Sequence, residues 1–332
     1  MNKNYATIDI GTNAYKISIE DAEGVTQFNQ NLPSKRIGQS REVDGEYLIS
    51  CLKEYSEELK GHGLSLTDDN VKVIATENFR RVENSDEVME SVKKDLGVEI
   101  EIISKNREAD LGMKGALTRA KGVEGKNVLY IDMGGGSTDI SLYDSKTKAI
   151  ESAASIPVGS RLLLEELNTA GKSYEKLIHG NVKRDIRDSI AQFKEMHDFG
   201  RIKDNLVILT NASPVLRAIN KELGLDRYEP QLVQGNEKKL SDLGPELEKI
   251  SKMRPQEAIN AGYSAFKAAP QVITGAFIMK EVFSELELNN NQPIQASIAG
   301  VKEGLIAEMK KADQTKQNTQ SKSIEKTQNS LV

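Results

Sequence analysis

The sequence predicts an α/β fold of two lobes facing one another across a central cleft. Two stretches carry that expectation. Tyr130–Ser141 reads Tyr-Ile-Asp-Met-Gly-Gly-Gly-Ser-Thr-Asp-Ile-Ser: an apolar run apt for a buried strand, Asp132 near its end, a glycine turn, then a second β-like stretch opened by Asp139. Earlier in the chain, Ile8-Asp9-Ile10-Gly11-Thr12-Asn13 turns out of a strand at Tyr5–Asp9, and Tyr15–Glu20 alternates like a returning strand. One glycine hairpin is common. Two acidic ones, each opening alternating strands and helices, point to a duplicated phosphate-binding fold. Glycine turns with φ > 0 bring bare backbone N–H groups close to an anion. Ser137 and Thr138 add hydroxyls, and an aspartate beside such a tip makes sense if a divalent metal bridges it to phosphate.

The 332 residues suffice for two domains, placed at 1–125 and 126–312 with the boundary in polar Lys121–Lys126. Hydrophobic residues at 38% and charged residues at 29% suit a soluble protein. No window approaches the ~18 apolar residues of a membrane span, and the charged start leads straight into Tyr5–Ile10 without a signal segment. Cys51, the single cysteine, excludes an intrachain disulfide and reads as a buried inert thiol. A cytoplasmic location without membrane partners follows. The net charge of −5 argues against nonspecific nucleic-acid binding.

Along the chain, apolar spacing predicts a helix over Tyr47–Leu59, stopped at Gly61-His62-Gly63 with His62 capping or facing solvent. Val71–Ala75 reads as a buried strand and Thr76–Arg81 as a polar, basic turn. Ser85 is expected to cap a helix through Leu96. Val98–Ile103 reads as a strand, and Ser104–Asp110 leads into a helix through Ala120. After the central hairpin come a strand at Ile150–Pro157, a turn at Val158–Ser160 and a helix from Arg161. Lys172–Met196 reads as a charged helix with His179 and His197 on its surface. Asn205–Leu209 is a strand, with a helix following through Leu223. Glu237–Met253 and Pro255–Ala269 read as helices, another helix begins at Thr274, and Ile294–Ile298 precedes the final helix, expected to pack back on the first lobe. Residues 313–332 are polar and poor in apolar residues, which predicts a disordered tail.

Ile8–Asn13 and Asp132–Asp139, with Ala75-Thr76-Glu77-Asn78-Phe79-Arg80, Ile102-Ile103-Ser104…Glu108-Ala109 and the Pro157-Val158-Gly159 turn, resemble the exopolyphosphatase / guanosine pentaphosphate phosphohydrolase family. The likeness runs from about Tyr5 to Ala307. It implies two actin-like (ribonuclease H-like) lobes with a central cleft, and hydrolysis of terminal phosphoanhydride bonds in polyphosphate or pentaphosphate guanosine, usually with Mg2+. Such a reaction needs neutralised phosphate oxygens and an aligned water. On that resemblance Gly11, Thr12, Asn13, Gly134, Gly135, Gly136, Ser137 and Thr138 cradle the phosphates, and Asp9 and Asp132 hold the metal. Glu108 orients or deprotonates the attacking water, Arg80 pairs with phosphate, and Asp139 completes the catalytic set. Two of these have plainer readings: Glu108 as a first-turn helix carboxylate, and Arg80 as a solvated turn residue.

The chain also departs from the family pattern. Asn106 and Arg107 replace acidic residues before Glu108, and Asp139 stands for a glutamate. Ala212-Ser213-Pro214 replaces a glycine pair, Lys267 and Ala269 replace an Arg and an Asp, and Arg161 is offset by one position. These departures keep a noncatalytic phosphate or nucleotide sensor open; a third class is an actin-like filament-forming ATPase, against which Ala75–Arg80 and Ser104–Ala109 stand, since such filaments do not need them. A basic channel for long polyanions would draw on residues such as Lys183, Arg184 and Arg187, although on a charged helix solvation is the commoner fate. A homodimer is the default oligomer.

Overall fold

The computed structural model describes residues 3–35, 42–147, 149–169, 181–196, 199, 206–225, 227–263 and 268–329. His179, His197 and Lys267 lie outside them.

Both hairpins form. Strands β1 (Asn4–Ile10) and β2 (Ala14–Asp21) pair antiparallel, as do β6 (Asn127–Met133) and β7 (Thr138–Asp144). Each continues into a further antiparallel strand, β3 (Thr26–Pro33) and β8 (Ala149–Ile156). On the other side of β1 runs parallel β4 (Val71–Ala75), then β5 (Glu101–Ile102). On the other side of β6 run parallel β9 (Leu206–Thr210) and β11 (Pro293–Ala296), with short β10 (Glu237–Lys239) at the edge. The sheet orders are β3-β2-β1-β4-β5 and β10-β11-β9-β6-β7-β8. Reversed, the second repeats the first with one edge strand added. The duplication inferred from two short motifs therefore extends through both sheets.

Each sheet has its own core. Ile8, Ile17 and Val73 pack with Leu52 and Tyr55 of α1 (Gly45–Gly61) in the first lobe. Leu129, Ile131 and Ile208 pack with Ile186 of α6 (Asn181–Met196) and Phe277 of α11 (Ala269–Glu285) in the second. Asp44 caps α1 by accepting from the Tyr47 N–H at 2.9 Å, and His62 is its C-cap residue. Cys51 is buried.

Several expectations need correction. Thr76–Arg81 is not an open turn: Glu77–Arg81 forms a short helix, α2, held by ion pairs from Glu77 to Arg80 and Arg81. Helix α3 (Ser85–Leu96) starts after Asn84, not with Ser85 as its cap, and the Asn84 side chain bonds the Val43 backbone on both sides. The strand read over Val98–Ile103 shortens to β5. Glu237–Lys239, read as helix, pairs with β11 ahead of helix α9 (Leu240–Ser251). Helix α10 ends at Asn260 (Pro255–Asn260), and α11 starts five residues before Thr274.

The final helix, α12 (Val301–Asn329), lies on β1 and on α4 (Lys105–Arg119). It crosses α4 where two glycines meet. A methyl on Gly304 would overlap the Leu111 carbonyl, and one on Gly115 would overlap the Gly300 carbonyl. Lys114 of α4 reaches Glu308 at 2.7 Å, and Arg119 and Lys310 share Glu20 at 2.7 and 3.1 Å. Asp313, read as the start of a disordered tail, is instead helical and accepts from the Tyr5 hydroxyl at 2.9 Å. Charged side chains anchoring to the first lobe replace the apolar surface this segment lacks. Among the described residues no helix is long and apolar enough to cross a membrane.

Candidate active site

The hairpin tips of the two lobes meet. Each closes through the same bond: Gly11 N–H donates to the Ala14 carbonyl (3.1 Å), and Gly134 N–H to the Ser137 carbonyl (2.9 Å). Neither turn uses the left-handed backbone expected of its glycines, because Gly11 and Gly134–Gly136 are absent from the positive-φ positions. The requirement is space. A Cβ on Gly135 would overlap the Asn13 amide, and one on Gly136 would stand 3.0 Å from Glu77 Cγ and 3.2 Å from Thr12 Oγ1. Among the described residues, none accepts from the N–H groups of Thr12, Asn13, Gly135 and Gly136. Arg161, at the start of α5 (Ser160–Thr169), locks the tips by donating to the Thr12 carbonyl at 2.6 Å and to Ser34 Oγ at 3.0 Å. Thr138, expected in the cradle, is buried, and its hydroxyl donates to the Val158 carbonyl at 2.8 Å.

Hairpin register sets the charges. Lys16 faces Asp9 across the first hairpin, and Asp139 faces Asp132 across the second. The first turn of α4 brings Glu108 to the same place: Ser104 caps the helix by accepting from Arg107 N–H. Arg80 donates to Glu108 Oε2 at 2.7 Å, to Glu77 Oε2 at 2.8 Å and to the Ile103 carbonyl. Its guanidinium thus orients both glutamates.

Burial disfavours ionisation throughout. It pushes the Glu108 carboxyl up to about 8, with the nearby Asp139 charge adding to it and Arg80 opposing. Asp139 is also raised, by burial first. Asp9 and Asp132 are raised by burial, with Lys16 the main opposing charge at each. Lys16 itself is held protonated by Asp9, Asp132, Glu303 and Glu108 against the cost of its burial.

Asp9, Lys16, Glu108, Asp132 and Asp139 line, with the two hairpin tips, one cavity of about 450 Å³, within the roughly 300–1,000 Å³ of small-molecule sites. Among the described residues no group of three or more acidic, His or Cys side chains could hold a metal ion. The pair Asp9 and Asp132 nevertheless fits Mg2+, which commonly takes one or two carboxylates and completes its shell with water and phosphate. Asp9 Oδ1 is buried without a hydrogen-bond partner, as a ligand atom would be.

Lys16, Glu77, Lys302 and Glu303 also line the cavity and were not singled out in the sequence. Lys16 was within reach, since it stands opposite Asp9 in the hairpin register. Lys302 and Glu303 arrive from the far end of the chain, where nothing local marks them.

The raised carboxyls give a signed prediction. The folded state holds protons that the unfolded chain has released, so this stability is present at low pH and is lost as pH rises from the ordinary carboxylate range toward the folded values. Metal-free protein should melt at a lower temperature near about pH 8 than near about pH 5.5, and Mg2+ should recover more at the higher pH. Thermal scans at both pH values test this, and Asp9→Asn should reduce the difference.

A repeated sheet order with its two Asp–Gly hairpins tip to tip defines the class: a two-lobed, actin-like (ribonuclease H-like) α/β protein. Solved structures of 18–20% identity share the fold. They include an exopolyphosphatase-like protein (TM-score 0.79, covering 93% of this chain and 99% of that one) and a Ppx/GppA family member of Aquifex aeolicus (0.68, 94% and 99%). An exopolyphosphatase from Cytophaga hutchinsonii matches at 0.71, covering 93% and 98%. The chain belongs to the Ppx/GppA phosphatase family, whose model matches residues 34–313. Among curated proteins it is 27% identical over 217 residues, 61% of its length, to a bifunctional 3-dehydroquinate synthase/phosphatase of Fusobacterium nucleatum. It is 29% identical over 159 residues, 45% of its length, to a guanosine-5'-triphosphate,3'-diphosphate pyrophosphatase of Aeromonas hydrophila. The matches cover 32% and 31% of those relatives, so the chain spans about a third of their length.

Proposed function

We propose that this protein hydrolyses terminal phosphoanhydride bonds, in inorganic polyphosphate or in guanosine pentaphosphate, with Mg2+. The observation that carries the reading is Glu108: a buried carboxylate with a raised pKa, fixed by Arg80, in the cavity where two phosphate-type hairpin tips meet. The family match and the curated relatives support it.

The terminal phosphate lies between the tips, where the Thr12, Asn13, Gly135 and Gly136 amides donate to its oxygens and Lys16 offsets its charge. Asp9 and Asp132 would hold Mg2+, which when bound neutralises phosphate charge. Glu108 accepts a proton from water as the water oxygen attacks the terminal phosphorus. The bridging P–O bond breaks, releasing orthophosphate and a chain one phosphate shorter. A cytoplasmic setting suits such substrates.

The test is phosphate release by the purified protein with Mg2+, offering polyphosphate and guanosine pentaphosphate side by side across pH. A base must be ionised, so release should climb as pH rises through about 8 and flatten above it. No release from either substrate at any pH would overturn the proposal.

A further inference from the structure

The cavity extends beyond the hairpin tips, along α7 (Ser213–Glu222), α8 (Pro230–Val233) and the start of α11. Ser213, Arg217, Tyr228 and Gln271 line this end. Its charge differs from that of the tips. The cations near the tips sit among carboxylates: Lys16 with Asp9, Asp132, Glu303 and Glu108, and Lys302 with Glu303, Asp9 and Glu20.

Arg217 has no such company. Among the described residues, no carboxylate comes within ion-pair distance of it. Its guanidinium lies 4.6 Å from the Tyr228 ring centroid. Two long bonds complete its contacts, Nε to Ser213 Oγ and Nη1 to the Tyr263 carbonyl, each 3.4 Å. Nη2 is left without an acceptor among the described residues. Burial lowers the Arg217 pKa, opposed by Tyr228.

A half-buried cation with no counter-charge among the described residues is costly to keep unless something anionic visits it. The planar fork of arginine suits two oxygens of one phosphate. A nucleobase is a poorer occupant, because the guanidinium already covers a face of Tyr228. This arginine also stands just after Ala212-Ser213-Pro214, the segment where the chain leaves the family pattern.

We propose that Arg217, backed by Tyr228 and flanked by Ser213 and Gln271, forms a second phosphate subsite. It receives a phosphate of the substrate beyond the two that the scissile bond joins. The inference rests on the phosphoanhydride reading above. It makes Arg217 a selector for substrates longer than pyrophosphate, whether the extra phosphates belong to a polyphosphate chain or to a nucleotide.

The test is equilibrium binding to the full chain carrying Glu108→Gln, so that it does not depend on turnover. The probes are pyrophosphate, linear polyphosphate and guanosine pentaphosphate, each with Mg2+. Adding Arg217→Gln should weaken binding of polyphosphate, of guanosine pentaphosphate or of both by about tenfold or more, the size of a charged hydrogen bond. Pyrophosphate should change less than about twofold. The probe that weakens names the source of the phosphate.

Arg217→Lys keeps the charge without the fork and should fall between the two; it also carries the test if Arg217→Gln fails to fold. Equal weakening of all three probes, or of none, overturns the subsite. If phosphate release by the unaltered protein is absent but the selective weakening is seen, the subsite stands and the hydrolase reading fails.

Discussion

Glu108→Gln is expected to lower phosphate release by about 10²–10⁴-fold, the usual worth of a positioned general base. The substitution is nearly isosteric, and Arg80 retains Glu77 and the Ile103 carbonyl as partners, so the helix and cleft should persist. The loss should fall on kcat, because in the proposed mechanism the amides and Lys16, not Glu108, bind the phosphate. The climb of rate with pH should vanish with the carboxylate. Steady-state kinetics of both proteins across pH decide it. A variant within about tenfold of the parent would move the base elsewhere, with Asp139, the raised carboxyl whose charge acts most on Glu108, the next candidate.

Gly304→Ala should be among the most damaging small substitutions at the described residues, together with Gly115→Ala. At that crossing the added methyl meets the Leu111 backbone, not a side chain that can rotate away. Overpacking of this kind costs about 1–3 kcal/mol or more, and here relief requires α4 and α12 to separate. Because α4 carries Glu108, activity should fall along with stability. Gly61→Ala is the matching control: it closes α1 outside the left-handed region, with open space around the new methyl, and should gain roughly 0.4–1 kcal/mol. Urea denaturation of the two variants should therefore shift in opposite directions.

What the sequence revealed follows from where the physics is local. The hairpins were legible because apolar strand, aspartate, glycine and small polar residues are consecutive. Helix α4 was legible because Ser104 marks its start. Strand β3 was not, since an edge strand pairs on one side only: Thr26–Pro33 has no fully buried residue and shows no hydrophobic signal. Strand β10, Glu-Lys-Lys, is hidden for the same reason. Glu77 looked like part of a basic turn because its partner Arg80 and its neighbour Gly136 meet it only in the folded protein. Arg217 was not marked in the sequence because its surroundings, the Tyr228 ring and no carboxylate among the described residues, are assembled only in the fold.

The packing of α12 on β1 and α4 has a consequence for how the protein is made. The first sheet is finished at its own end early in synthesis, yet the helix that covers it, with Lys302 and Glu303 at the cleft, emerges about two hundred residues after Ile102. Until then the first lobe displays apolar surface that native packing conceals, at Ile74, Ile103 and Leu111, which cluster with Leu305. The growing chain must keep that surface from other molecules while the second lobe is translated. A ribosome-bound chain halted before Val301 should accordingly draw chaperones and be cut readily by proteases, and one released after Asp313 should resist both.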